Sequence, residues 1–254
     1  MMRILSFLFL FYIYGSEAFS NDLTAENAVQ YEVLVNNEMD NPIDVYFFTN
    51  PASFNEMTGT YTNSLGTETV QAGTASQAKF TYTLANFAAA QKLTNPAGQL
   101  QTTSVALQPI QIQTDTEQGE KTMMTFDKNS SPVLGIPAAL PVSRRITTTV
   151  VDGSFQIQTP SYPSGQGKYG VGLGAISGGE YHLASYTEAE PNQIVNVQPV
   201  VKFYIAIGRT QKGKDANFYT VSTTSALCDA TMGMTTFNVV RTDDGKWRVN
   251  GQVQ

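Results

Sequence analysis

The chain has 254 residues, enough to bury a sizeable core without disulfides or metals. Charged residues make up only 14% and the formal net charge is -6, with no basic run, which excludes backbone binding to nucleic acid and attraction to anionic membrane surfaces. The single cysteine, Cys228, excludes an intramolecular disulfide and reads as a buried small hydrophobe.

The first residues carry an export signal. Met1-Met2-Arg3 is a short positive start, and 4–14 is an apolar run too short to span a bilayer as a helix. Ser16-Glu17-Ala18 is a small-x-small cleavage pattern, so a signal peptide is predicted over 1–18 and a polar tail over 19–28. Arg3 and Glu17 leave together, so the net charge is unchanged. A secreted or periplasmic chain without disulfides points to a bacterial export route. No later segment is long and apolar enough for a transmembrane helix.

From residue 29 onward the side chains alternate with period 2. Tyr31, Val33 and Val35 form one such run, Ile43, Val45 and Phe47 the next, and Phe80, Tyr82 and Leu84 a third. Alanines and leucines over 84–93 predict one short helix. Ile110 and Ile112 alternate with glutamines, predicting a strand there. The stretch 128–141 is rich in turn residues and marks a joint. Asp152-Gly153 and Asp244-Gly245 each lie between alternating runs, the strongest short-range hairpin signal. Strands are also predicted over 169–176, 193–198, 201–207 and 218–222. The run at 201–207 is apolar on both faces, as a strand covered on both sides requires. The fold class is therefore all-β, an antiparallel β-sandwich over 29–254 with at most one short helix.

Few residues offer chemistry. Ser177 lies in Gly174-Ala175-Ile176-Ser177-Gly178-Gly179, which lacks the first glycine of a nucleophile elbow and the helix after it. It reads as a glycine-rich turn. Gly170, Gly172 and Gly174 lack the third glycine and the helix of a dinucleotide fingerprint. Alternate glycines in a strand instead let another segment pack close. One histidine and one cysteine do not make a zinc site. Asp115, Glu117 and Glu120 form the densest acidic group, with calcium binding as one reading and a solvated loop as the other. Tyr162, Tyr169, Tyr181 and Tyr186 cluster around the only histidine, His182, and are the candidate ligand-binding group. Strand aromatics that pack a core are the alternative reading.

Several short segments together resemble the RhiA-type group of small β-proteins. They are Val33-Leu34-Val35-Asn36-Asn37, Val45-Tyr46-Phe47-Phe48, Lys202-Phe203-Tyr204-Ile205-Ala206-Ile207-Gly208 with Lys212-Gly213, and Asp243-Asp244-Gly245-Lys246-Trp247. The resemblance implies a small β-sandwich without assigned catalysis. The expected function is binding, as a surface or host-contact module for a protein or glycan ligand, without enzyme activity or cofactor. A glycan hydrolase is the first alternative, requiring two carboxyls roughly 5–10 Å apart beside exposed tyrosines. A membrane-acting toxin is the second, although inserted strands need about 9–11 alternating residues and the runs at 145–151 and 154–159 are shorter.

Overall fold

The structure is a computed structural model that describes residues 29–54, 59–93, 105–114, 119–135, 151–163 and 167–253. The predicted signal peptide and tail, Asp115, Glu117 and the strand residues before Val151 lie outside the described residues. The chain is all-β. Its strands are β1 Val29–Asn37, β2 Ile43–Thr49, β3 Ser53–Phe54, β4 Thr60–Thr62, β5 Ser64–Val70, β6 Gly73–Leu93, β7 Ala106–Pro109, β8 Lys121–Phe126 and β9 Pro132–Gly135. They continue as β10 Phe155–Gln158, β11 Lys168–Ser177, β12 Glu180–Glu188, β13 Ile194–Gln198, β14 Lys202–Ile207, β15 Ala226–Asp229, β16 Thr236–Arg241 and β17 Trp247–Gln252. One helix, α1 Phe218–Val221, precedes a 3-10 turn at Ser222–Thr224. No helix among the described residues is long and apolar enough to cross a membrane.

An 8-stranded sheet in the order β17-β16-β1-β6-β11-β12-β4, with β7 beside β6, forms the base. Its inner face carries two separate clusters. Tyr31, Val33, Phe80, Tyr82, Phe237 and Val239 pack against Phe47, Leu65, Phe203 and Ile205 of the 4-stranded sheet β15-β14-β2-β5. Farther along, Ala88, Ala90, Tyr169, Val171 and Leu173 pack against Phe155, Ile157, Val195 and Val197 of the 5-stranded sheet β3-β13-β10-β8-β9. β6 is long enough to serve both. Its alternation puts even-numbered residues inward at both ends, since a two-residue excess opposite Gly174–Ile176 preserves the phase. The β1–β16 and β8–β10 pairings are parallel, and the other described pairings are antiparallel.

Several expectations change. Residues 84–93 are strand, not helix. Ala88, Ala89 and Ala90 are fully buried and hydrogen-bonded to β11 on one side and β7 on the other. Pairing on both edges and burial on both faces override helix propensity. The strand predicted over 218–222 is α1 and its following turn, because Asn217 adopts a left-handed φ of 53°. Phe218 then packs its ring onto Tyr204 at 5.4 Å. The strand placed at Ile110 and Ile112 ends instead at Pro109. Of the stretch read as a joint, residues 128–135 form a turn and β9, while 136–141 lie outside the described residues.

Other expectations hold. β16 and β17 form the hairpin around Asp244-Gly245, with Gly245 at φ 74°. β14 lies inside its sheet between β15 and β2. Phe203 and Ile205 face the first core, and Tyr204 and Ala206 face the cluster beneath α1. Cys228 is fully buried, and burial pushes its thiol up to about 12. Gly172 and its neighbours admit close approach: a Cβ on Gly172 would collide with the Ser185 carbonyl and lie 2.8 Å from Tyr186 Cα.

Candidate functional site

The five candidate residues do not converge on one site. In a strand, successive side chains point to opposite faces. Tyr181 is therefore on the outer face of β12 and His182 on the inner face, where Ala184 joins the first core. Tyr169 faces the second core with Tyr162, their rings 5.6 Å apart and both against Phe126. The Tyr162 hydroxyl donates to the Ala189 carbonyl at 2.5 Å and Tyr169 to that of Ser130 at 3.1 Å. Burial pushes the Tyr162 phenol up to about 12. Tyr186 is buried on the outer face, stacked on Tyr61 at 5.2 Å. Three of the four tyrosines are thus packing residues. Tyr181 alone is exposed, at 47%, with its ring set edge-on to buried Phe87.

The polar chemistry concentrates at the tip of the β11–β12 hairpin. Two consecutive glycines with positive φ, Gly178 and Gly179, make the turn. Glu180 leaves it and pairs with Lys212 at 2.9 Å. Lys212 comes from the loop over 208–217 that follows β14. The pair therefore ties the large sheet to the 4-stranded sheet at the rim of the first core. His182 lies beneath, its Nε2 3.8 Å from Glu180 Oε2. That nitrogen is buried without a hydrogen-bond partner. Burial holds the imidazole below its ordinary pKa, helped by Lys212 and opposed by Glu180 and by a hydrogen bond to the Ser177 backbone. The Ser177 hydroxyl donates to the Thr81 carbonyl at 3.2 Å. Serine, histidine and acid are thus close together, but the hydroxyl is aimed into the sheet rather than at the imidazole. A serine nucleophile needs that hydrogen bond to its base.

The depressed histidine sets a direction for stability. Its folded pKa lies below the unfolded value of 6.5, so its contribution is complete above that pH and declines as pH falls below it. We expect the urea midpoint of the wild type to lose ground to that of His182→Gln between pH 7.5 and pH 5. Parallel curves for the two proteins would show that the imidazole is not held neutral.

A second group, which sequence reading missed, lies on the same loop. The chain leaves the large sheet after β4 and enters the 4-stranded sheet at β5, crossing at Asn63. Residues 213–216 pair with this crossing: Gly213 donates to Ser64, Ser64 to Lys214 and Ala216 to Thr62. Asn63 and Asp215 face each other in the bridge so formed. Asp215 is half-buried, and burial raises its carboxyl above the ordinary range, against a hydrogen bond from the Asn217 amide. The only sequence signal was Asp215 preceding Ala216 and Asn217, which reads as an ordinary polar turn.

Glu120, the described member of the acidic trio, accepts from the Gln111 amide at 2.9 Å. Among the described residues no group of three or more His, Cys, Asp or Glu is placed to hold a metal ion. Compared with known proteins, the chain matches no family model, no curated protein and no solved structure.

Proposed function

We propose that this chain acts by binding, with the tip of the β11–β12 hairpin as the contact surface and an exported protein as its setting. The observation that carries the reading is Tyr181, a half-exposed ring braced against Phe87. A rigid aromatic with an apolar body and a polar end contributes contact area at low entropic cost. The polar groups around it are engaged with the fold: Glu180 with Lys212, Ser177 with Thr81, His182 buried and neutral. Glu180 is held below its ordinary carboxylate range, chiefly by the Lys212 hydrogen bond. That suits a fixed anion better than a proton donor. The RhiA-type resemblance supports the same reading. Three of its segments fall on β1, β2 and β14, the strands around the first core, and the group has no assigned catalysis.

The ligand classes are glycan and protein surface. The purified chain should be retained on members of an immobilised panel of neutral and acidic oligosaccharides, without releasing reducing ends. Tyr181→Ala should weaken that retention about tenfold, the equivalent of losing one aromatic contact of about 1–1.5 kcal/mol. Release of reducing ends, stopped by Glu180→Gln or Asp215→Asn, would establish the hydrolase alternative instead. Retention equal in wild type and Tyr181→Ala would remove the hairpin tip as the contact.

A further inference from the structure

Asn63 is fully buried. Its Nδ2 donates to the Leu183 carbonyl at 2.6 Å, which fixes the orientation of the amide. Its Oδ1 is buried with no hydrogen-bond partner. A native fold seldom leaves a buried acceptor unmet, because the desolvation cost is not recovered. The residue opposite is Asp215. Ser64 donates to Lys214 and Ala216 to Thr62, so the bonds flank the Asn63–Asp215 pair instead of joining its members. That is the closely spaced kind of antiparallel pair, with side chains on one face and Cβ atoms about 4.5–5.5 Å apart. Asp215 Oδ1 already accepts from the Asn217 amide at 2.9 Å. Asn63 Oδ1 and the remaining Asp215 oxygen are both acceptors, and an ionised carboxylate offers nothing to donate.

We propose that Asp215, in its protonated form, donates to Asn63 Oδ1, so that the loop over 208–217 is latched to the crossing strand by a proton. The titratable groups facing the carboxyl are Tyr46 from β2 and Tyr186 from β12, phenols whose pKa values are raised and which therefore stay neutral. Lys212 and Lys214 flank it on its own loop, and Lys212 is committed to Glu180. Two groups of opposite pH sense, Asp215 and His182, thus lie near this loop. The folded pKa of Asp215 lies above the unfolded value of 3.8. Its stabilisation is complete below that value and is lost as pH rises through the folded pKa. His182, close to the Glu180 carboxylate that pairs with Lys212 of this loop, loses stability on the acid side.

Hydrogen exchange at the Gly213, Ser64 and Ala216 amides, corrected for intrinsic rate, reads the latch directly. In the wild type these amides should open more often at pH 7.5 than at pH 3, by about tenfold for each unit by which the carboxyl is raised. Asp215→Asn supplies a permanent donor to Asn63 Oδ1 and should keep them closed at both pH values. Asp215→Ala should leave them open at both. Carbon-detected titration of the wild-type Asp215 carboxyl should give a midpoint above 3.8. A midpoint at or below that value, or Asp215→Asn opening the loop as far as Asp215→Ala, overturns the proposal.

Discussion

Gly172→Ala should abolish folding or reduce stability by at least about 3 kcal/mol, beyond the usual range for core overpacking. In β11, Gly172 pairs with Tyr186 of β12 and with Ala89 of β6. A methyl group there would meet the Ser185 carbonyl oxygen, Tyr186 Cα at 2.8 Å and Phe54 Cζ at 3.1 Å. Two of these are backbone atoms of a paired strand, and moving them would break the ladder. Total stabilities are of order 5–15 kcal/mol, so most of the soluble folded protein should be lost. Gly135→Ala is the control. A Cβ there meets nothing within 4 Å, and its stability should match wild type in urea unfolding. A Gly172→Ala protein as stable as that control would mean that β11 and β12 do not approach as closely as described.

Phe203→Ala should cost about 3–5 kcal/mol, the range for deleting a buried aromatic ring. Phe203 on β14 is the hub of the first core. Its ring centroid lies 5.0 Å from those of Tyr31 and Tyr82, 5.8 Å from Phe47 and 6.5 Å from Phe237. The partners come from β1, β6, β2 and β16, so the cavity would be walled by both sheets and would collapse poorly. Tyr219, 73% exposed on α1, provides the contrast, since its replacement by alanine should change stability by no more than about 0.5 kcal/mol. Equal urea midpoints for the two variants would place Phe203 outside a packed core.

Most strands were legible because the alternation that names a strand also names its buried face. Val33, Val45, Phe80 and Ile205 all face the first core. The Asp-Gly turn between β16 and β17 was legible because its backbone demands those residue types. Residues 84–93 were misread because alanine's helix preference is a local signal. What decides there is tight packing at Ala88–Ala90, supplied by strands far away in sequence. The candidate residues are dispersed for the same reason that the strands were legible. Tyr181 and His182 are adjacent in sequence, so a strand must separate them onto opposite faces. Tyr162 and Tyr169 looked like a ligand platform, but their hydroxyls have internal carbonyl partners that no sequence pattern announces. Asp215 was invisible because its partner, Asn63, lies on a strand that crosses between sheets.

One sheet face supports two cores. β6 and β11 carry residues of both clusters on the same face, so unfolding either cluster should expose the other. Trp247 packs against the first core, with Arg241 4.9 Å above its ring, and reports that core alone. Urea unfolding of Phe155→Ala, a second-core variant, should be followed by Trp247 fluorescence and by far-ultraviolet circular dichroism. We expect a single transition with the same lowered midpoint by both probes. A circular dichroism curve in two steps, with Trp247 holding its wild-type midpoint, would show that the two cores stand independently.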